Sequence, residues 1–208
     1  MSEIKNNIPI FKSPKLIAKY EHSNLVNDYL KEILEYNERV NLVSRETNFA
    51  ALERLAADSL VPFEFLGPPK GKIFDIGPGA GFPSLVILLA FPEIEGVLFE
   101  RTHKKAIFLK SIVKKFSLSA GVADSNFVEA SKAFPSNSFN FGFMKYVKLH
   151  TRILACALTL LNKDGKFIYY SQTTGDISHM ASINCATRHY YLDDPENLRT
   201  ISIFSHKE

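Results

Sequence analysis

Residues 72–83 combine three features that could build a ligand site: an apolar run, alternating glycines and a proline. The apolar residues suit a buried strand, and Pro83 suits the first turn of a helix, where its missing N–H costs nothing. Between them, Gly77, Gly79 and Gly81 let the backbone turn tightly and approach a ligand without intervening side chains. The stretch is therefore either a ligand-binding loop or a tight structural corner.

The glycine spacing excludes a dinucleotide fingerprint. That fingerprint needs its third glycine three places after the second, and Phe82 occupies this place. The remaining pattern, Asp75 followed by alternate glycines, resembles the first motif of the S-adenosylmethionine-dependent methyltransferases. The resemblance implies that the loop lies against the methionine end of the cofactor, whose carboxylate the following helix N-terminus favours. Asp75, Phe82 and the three glycines are therefore candidate cofactor-binding residues.

A second apolar run, residues 94–100, ends in Glu100. In a parallel βαβ unit the carboxyl ends of adjacent strands face the same crevice, so Glu100 would lie beside the glycine loop. Its two acceptor oxygens can bind both hydroxyls of a ribose. The alternative is a solvated charge at the end of a strand.

Composition describes an ordinary globular chain of 208 residues, with 46% hydrophobic residues, 23% charged residues and a net charge of +3. This mild charge does not by itself indicate a nucleic-acid partner. Cys156 and Cys185 lack metal-like spacing, which favours a reducing, cytoplasmic setting. No run reaches transmembrane length, and residues 1–10 contain no long apolar core, so we expect neither membrane insertion nor export.

The chain divides at the Gly/Pro-rich break of residues 67–71. We expect an N-terminal arm and helical cap over 1–66 and the main domain over 67–208, packed as one unit. The first 21 residues are polar, interrupted by prolines, and predicted to be a loosely held arm. The cap helices are predicted at 23–40 and 47–66.

Strands and helices alternate in the main domain, which predicts an open α/β sheet with its ligand crevice at the strand carboxyl ends. The further strands are expected at 94–100, 121–128, 139–144 and 166–171, and the helices at 83–91, 102–117, 148–161 and 175–185. Residues 188–192 and 200–204 are separated by too few residues for a crossover helix, so they should pair antiparallel. The lysines of 102–117 form a basic face that either meets phosphates or is simply solvated.

Three segments together resemble the glucose-inhibited division protein B family, bacterial enzymes that methylate N7 of a guanine in 16S ribosomal RNA. The segments are 41–44 (Asn-Leu-Val-Ser), 57–60 (Ala-Asp-Ser-Leu) and 74–83, and the resemblance runs from about 34 to 204. It implies a class I S-adenosylmethionine-dependent methyltransferase: a Rossmann-like, seven-stranded, mostly parallel sheet with a closing antiparallel hairpin, plus an N-terminal helical cap. The implied cofactor is S-adenosyl-L-methionine, and the implied partner is ribosomal RNA or the small ribosomal subunit.

The resemblance also implies roles for individual residues. Glu100 stands where the family usually has an aspartate for the ribose. Val128 and Glu129 fall where the backbone normally runs beside the adenine. Arg54 matches an arginine of the family's Arg-His pair, although the histidine is replaced by Leu55.

The acceptor side departs from the family pattern. The Arg-Ala that follows the fourth strand is replaced by Lys145 and Tyr146, and the Lys-Gly that ends the fifth strand is replaced by Ser171 and Gln172. The fourth strand starts Phe-Asn, with Asn140, instead of Phe-Asp. Lysine keeps the positive charge of arginine but loses the planar fork suited to phosphate or guanine edges.

Methyl transfer to guanine N7 needs no general base, because N7 has no proton to lose, so positioning supplies most of the catalysis. Lys145 and Tyr146 are the candidate catalytic residues. Lys145 would hydrogen-bond O6 of the base or hold a phosphate, and Tyr146 would stack on the base. Their alternatives are a solvated lysine and a packing tyrosine. Arg54, Lys145 and Lys148 are candidate substrate-binding residues, and the histidines show no ligand spacing, so no metal is expected.

Three hypotheses therefore remain open. The first is a ribosomal RNA methyltransferase, favoured by the resemblance and by basic residues near the expected mouth: Arg39, Arg45, Arg54, Lys145 and Lys148. The second is a methyltransferase with a different acceptor, and the third is a non-catalytic paralogue that binds a nucleoside or RNA. We expect a cytoplasmic monomer.

Overall fold

The computed structural model describes residues 8–172 and 183–207. The helices are α1 (Ser13–Ala18), α2 (Ser23–Asn37), α3 (Phe49–Leu60), α4 (Pro62–Leu66), α5 (Ser84–Ala90), α6 (His103–Lys115), α7 (Phe127–Ala130) and α8 (Thr151–Leu160). The strands are β1 (Ile10–Phe11), β2 (Lys72–Ile76), β3 (Glu95–Phe99), β4 (Ala120–Ala123), β5 (Phe139–Met144), β6 (Leu161–Tyr169), β7 (Ile183–Leu192) and β8 (Asp194–His206).

All of these strands form one sheet in the order β1-β7-β8-β6-β5-β2-β3-β4. Neighbouring strands run parallel except at β8, which is antiparallel to both β6 and β7. The predicted open α/β sheet with a closing antiparallel hairpin is therefore confirmed. The sheet has eight strands in the described residues, one more than the seven expected, because β1 is added at the edge.

Alternation along the strands separates two apolar clusters on opposite faces of the sheet. On β2, Ile73 packs with the cap helices and α5, whereas Phe74 packs with α7 and α8. Every residue of α5 is buried, because this short helix lies between the sheet and the cap helices α2 and α3. The face that carries Ile73 is therefore the face on which the cap is built.

Strand register brings three predicted site residues to one edge of the sheet. Ile76 at the end of β2 is level with both Phe99 of β3 and Met144 of β5. The next residues along the three strands are Gly77, Glu100 and Lys145. The carboxyl ends of β2, β3 and β5 therefore deliver the glycine loop, the acid and the lysine to a common crevice.

The prediction of a loosely held arm is wrong for the segment Ile10–Ala18. Strand β1 pairs with the end of β7, and Leu16 of α1 is buried. The carboxylate of Asp193 accepts hydrogen bonds from both the backbone N–H (2.8 Å) and the hydroxyl (2.5 Å) of Ser13. Proline does not prevent order here, because Pro14 lies in the first turn of α1, where its missing N–H costs nothing. Residues 1–7 lie outside the described part of the chain.

Other boundaries also differ from those expected. Strand β4 ends at Ala123, not at 128, because Asn126 caps helix α7 by accepting a hydrogen bond from the Val128 N–H (3.0 Å). Strand β8 begins at Asp194, within the segment expected to be a turn. The helix predicted over 175–185 falls mainly on residues outside the described part, and its last three positions belong to β7.

Candidate functional site

The candidate site is a cavity of about 610 Å³ at the carboxyl edge of the sheet, termed the first cavity. It lies within the range of roughly 300–1,000 Å³ typical of small-molecule sites. Its apolar wall includes Ile76, Phe82, Phe99 and Val128, and its polar wall includes Gly77, Gly79, Glu100 and Lys145. Strands β2, β3 and β5 therefore contribute to a single hollow, as the sequence predicted.

The glycine loop has two functions, which different glycines serve. All three glycines have positive φ, at 68° for Gly77, 61° for Gly79 and 102° for Gly81. A Cβ on Gly81 would lie 2.4 Å from the Tyr29 hydroxyl, so this glycine allows close packing against α2. A Cβ on Gly79 would meet nothing nearer than the Lys105 Nζ, at 3.9 Å. Gly79 is therefore the glycine whose bare backbone leaves the cavity wall open.

Glu100 is held in place by the main chain. It is only 4% exposed, and its two oxygens accept hydrogen bonds from the N–H groups of Gly79 (3.0 Å) and Thr102 (2.8 Å). The alternative of a solvated strand-end charge is therefore wrong. Because a carboxylate offers about four lone-pair sites, each oxygen keeps acceptor capacity for a ligand hydroxyl.

Asp75 lies beneath the loop and does not line the first cavity. It is fully buried, and one of its oxygens accepts a hydrogen bond from the N–H of Ser84 at the start of α5 (3.1 Å). Its other oxygen has no hydrogen-bond partner in the described structure. Burial is the main reason that its pKa is raised to about 7. The structure therefore gives Asp75 a contact that supports the loop, while direct cofactor binding stays a prediction.

Val128 and Glu129 occupy different environments. Val128 lines the first cavity, although it belongs to α7 and not to the end of a strand. Glu129 is exposed and forms an ion pair with Lys132 at 2.7 Å. Phe82 lines the cavity from the loop. The structure thus brings Phe82, Val128 and Glu100 together around the hollow and places Glu129 on a neighbouring surface.

Lys145 is not a free side chain. Its Nζ lies 2.7 Å from Asp58 of α3, and the two side chains are 1% and 5% exposed. Lys145 and Asp58 meet because position 145 continues the face of β5 that packs on the cap. Burial lowers the pKa of Lys145, and Asp58 opposes this effect by favouring the ammonium form. The alternative of a solvated strand-end lysine is therefore wrong.

Asp58 is the centre of a buried polar cluster, which also contains Lys145, Tyr190 and Arg199. Its second oxygen accepts hydrogen bonds from the Tyr190 hydroxyl (2.6 Å) and from Arg199 Nη1 (3.0 Å). Although burial alone would raise it, the pKa of Asp58 is lowered by Lys145 and Arg199. The carboxylate is thus ionised and neutralised by basic side chains from β5 and β8.

Of the residues in this cluster, only Lys145 was a predicted site residue. The Ala-Asp-Ser-Leu segment around Asp58 does indicate a buried ion pair or hydrogen bond, because a carboxylate on the apolar face of a helix requires a partner. Arg199 and Tyr190 lie on the closing hairpin, far along the chain from Asp58. Nothing local marks them as its partners.

Tyr146 is 76% exposed and adopts a positive φ of 57° immediately after β5. An aromatic residue in this conformation is unusual and indicates that the surrounding structure imposes it. Its ring lies at the wall shared by the first cavity and a second, adjoining cavity. The alternative of a packing tyrosine is wrong, since the ring faces solvent.

Basic side chains surround the mouth of the first cavity. Lys148 and Arg101 line it, whereas Arg54 is exposed on α3 and lines none of the cavities described here. An adjacent hollow of about 260 Å³, termed the third cavity, is lined by Arg39, Arg45, Lys104 and Lys105, of which Lys105 also lines the first cavity. The predicted clustering of basic residues at the mouth is thus present for Arg39, Arg45 and Lys148.

Residues 8–172 and 183–207 contain no group of three or more His, Cys, Asp or Glu side chains arranged to hold a metal ion. Within the same ranges, no helix combines the length and apolar character needed to cross a bilayer.

Sequence comparison identifies relatives across most of the chain. A profile of the rRNA small subunit methyltransferase G family (GidB) matches residues 22–192. The ribosomal RNA small subunit methyltransferase G of Syntrophomonas wolfei subsp. wolfei is 32% identical over 146 residues, covering 70% of this chain and 68% of that protein. The protein of the same name from Borrelia duttonii is 30% identical over 165 residues, covering 75% and 77% respectively. The ribosomal RNA small subunit methyltransferase G 3 of Bdellovibrio bacteriovorus is 34% identical over 122 residues, and the match spans about half (52%) of its length.

Solved structures share the fold at low sequence identity. Cofactor-bound Rv0187 from MTB superposes with a TM-score of 0.64 at 11% identity, covering 87% of this chain and 90% of that chain. A putative O-methyltransferase from Klebsiella pneumoniae gives a TM-score of 0.60 at 10% identity, covering 86% and 90%. At such identities the similarity supports the fold alone.

Substituting Gly79 and Gly81 in separate variants should distinguish an effect on ligand binding from an effect on folding. Gly79→Ala should weaken binding of S-adenosylhomocysteine at least about tenfold, because its methyl group enters the open wall, and should cost only about 1–2 kcal/mol of stability for the left-handed backbone. Gly81→Ala should lower the free energy of unfolding by about 2–4 kcal/mol, because overpacking against Tyr29 adds to the same backbone cost. Isothermal titration calorimetry and urea unfolding measure the two effects. Equal losses of stability in both variants would contradict this division.

Raising the pH should destabilise the wild-type protein relative to Asp75→Asn. Burial raises the pKa of Asp75 to about 7 in the folded chain, above the ordinary value of 3.8 that the unfolded chain keeps. Between these values the unfolded chain has already released a proton that the folded chain still holds, so rising pH favours unfolding until about pH 7. From about pH 5 to pH 8 the unfolding free energy of the wild type should fall by about 2–3 kcal/mol relative to that of Asp75→Asn. The other titrating groups are common to both proteins, so their contributions cancel in the comparison. Parallel pH profiles of the two proteins would refute the raised pKa of Asp75.

Proposed function

Because this chain belongs to the rRNA small subunit methyltransferase G family, we propose that it transfers the methyl group of S-adenosylmethionine to N7 of a guanine in 16S ribosomal RNA. The observation that carries the proposal is the first cavity, where the open wall at Gly79 and the fixed carboxylate of Glu100 adjoin the exposed ring of Tyr146. A donor site and an aromatic acceptor surface thus share one hollow. The proposal places the chain in the cytoplasm, with the small ribosomal subunit as its partner.

The donor half of the site fits S-adenosylmethionine. The N–H groups of Gly79 and Thr102 fix the carboxylate of Glu100 before any ligand enters, and its remaining lone pairs suit ribose hydroxyls. Apolar side chains of Ile76, Phe99 and Val128 line the same cavity and suit the faces of an adenine. When bound, the cofactor supplies a methyl carbon that its sulfonium already activates.

The acceptor half of the site needs to position a base, not to remove a proton. Guanine N7 offers a lone pair, so alignment of that lone pair behind the methyl carbon supplies most of the rate enhancement. Tyr146 provides an exposed aromatic face on which the base stacks. The ammonium group of Lys145, which is fixed by its ion pair with Asp58, provides positive charge beside that base.

Unpaired positive charge at the mouth favours RNA as the acceptor. Several lysines elsewhere on the surface are ion-paired, among them Lys19 with Glu64, Lys31 with Asp28, Lys72 with Glu95 and Lys115 with Glu32. Arg39, Arg45, Lys104 and Lys105 instead line one hollow together, and none of these four has an ion-pair partner among the described residues. Side chains that are not neutralised by protein carboxylates are available to phosphates.

A labelled-methyl assay tests the proposal. The protein is incubated with methyl-labelled S-adenosylmethionine and small ribosomal subunits from a strain that lacks the modification, with fully modified subunits as the matched control. We expect label in 16S RNA as 7-methylguanosine from the first substrate and none from the second. Cofactor binding without transfer to either subunit or free RNA would instead favour a different acceptor or a non-catalytic role.

Tyr146 should act through its ring and not through its hydroxyl. Tyr146→Ala should lower kcat/KM for the RNA substrate by about 10–100-fold, the equivalent of a stacking contact of about 1–3 kcal/mol. Tyr146→Phe should retain most of the activity, and both variants should bind S-adenosylhomocysteine as the wild type does. Equal activity of the Ala and Phe variants would contradict the stacking role.

A further inference from the structure

A second cavity of about 310 Å³ adjoins the first. The two share Lys145 and Tyr146, so a ligand resting on the Tyr146 ring borders both. The second cavity is also lined by Asp58, Tyr190 and Arg199. It therefore lies on the side of Tyr146 away from the glycine loop and beside the closing hairpin.

The wall of the second cavity has an excess of positive charge. One carboxylate, Asp58, faces two cationic side chains, with 2.7 Å to Lys145 Nζ and 3.0 Å to Arg199 Nη1. The Tyr190 hydroxyl also donates to Asp58 and brings no charge of its own. A cavity wall with one more cation than anion attracts an anionic group.

Arg199 keeps donors that Asp58 does not use. Its guanidinium carries five N–H groups in a planar fork, and the described contacts use only Nη1. Nε is shielded from solvent and has no hydrogen-bond partner in the described structure, although the side chain as a whole is 27% exposed. The exposed part of the guanidinium therefore keeps N–H donors that Asp58 does not use, and an oxygen that enters the cavity can accept from them.

From this cluster we propose that the second cavity binds a phosphate group of the acceptor nucleotide, with Arg199 as the phosphate-binding residue. Planar bidentate donation is the geometry that phosphate oxygens match best, and Lys145 lacks it. The acceptor base lies on Tyr146, and its phosphate lies against Arg199. This inference rests on the proposed function and adds the subsite that holds the backbone of the substrate.

The test compares Arg199→Gln with Arg188→Gln. Arg188 is an exposed arginine on the neighbouring strand β7 that lines neither the first nor the second cavity, so it is a matched control. Arg199→Gln should raise KM for the RNA substrate by about 10–100-fold and leave the affinity for S-adenosylhomocysteine within about twofold. The slope of log affinity against log salt concentration should fall by about 0.7–0.9, as expected for one lost phosphate contact. Arg188→Gln should leave KM and the slope unchanged.

A merely structural role for Arg199 would not change the salt slope. Arg199→Lys keeps the charge that pairs with Asp58 and loses the planar fork, so it should keep the slope near the wild-type value and still raise KM. Because this variant retains the ion pair, it carries the test if Arg199→Gln does not fold. A wild-type salt slope and KM in Arg199→Gln would overturn the proposal.

A small probe tests the phosphate subsite independently of RNA methylation. In the presence of S-adenosylhomocysteine, guanosine 5′-monophosphate should bind at least about tenfold more tightly than guanosine to the wild type, and this preference should disappear in Arg199→Gln. Equal binding of the two ligands, or binding of neither at millimolar concentration, overturns the phosphate subsite. Failure of the methyl-transfer assay with the phosphate preference intact would count against the proposed function alone.

Discussion

The buried ion pair between Asp58 and Lys145 connects the helical cap to the sheet and forms the boundary between the two cavities. Both side chains are almost fully buried, so water stabilises neither charge; Lys145 is neutralised by Asp58, and Asp58 by Lys145 and Arg199. Breaking such a pair by removing one partner typically costs about 3–5 kcal/mol, because the remaining charge is left unpaired. Asp58 also binds Arg199 and Tyr190 on the closing hairpin. One carboxylate thus fixes α3, β5 and β7–β8 in the relative positions that the site requires.

Much of the fold was predictable, because it follows from local patterns. The apolar segment before Gly77 formed β2, and the short link between 188–192 and 200–204 required an antiparallel pair. The crevice at Gly77 and Glu100 followed from the general geometry of parallel strands, which places successive carboxyl ends at one edge. These predictions succeeded because spacing along the sequence determines them.

Two of the differences between prediction and structure depend on distant contacts, and one depends on a local helix cap. Residues Ile10–Ala18 looked weakly structured by themselves, yet Asp193, far along the chain, docks them. The ion pair of Lys145 was not predicted, because its partner Asp58 lies 87 positions earlier, on another element. The strand predicted to end at 128 ends at Ala123, because the sequence pattern did not show that Asn126 caps a helix. Tertiary partners decided the first two cases, and composition and periodicity do not identify such partners.

Glu100 affects the entropy of ligand binding as well as its geometry. A free glutamate side chain loses roughly 1.5–2 kcal/mol of rotamer freedom when it is immobilised. In this chain the N–H groups of Gly79 and Thr102 already immobilise the carboxylate, so that loss occurs during folding. A sugar that meets this carboxylate therefore encounters a rigid receptor, and its binding does not repeat the entropy loss of ordering this side chain.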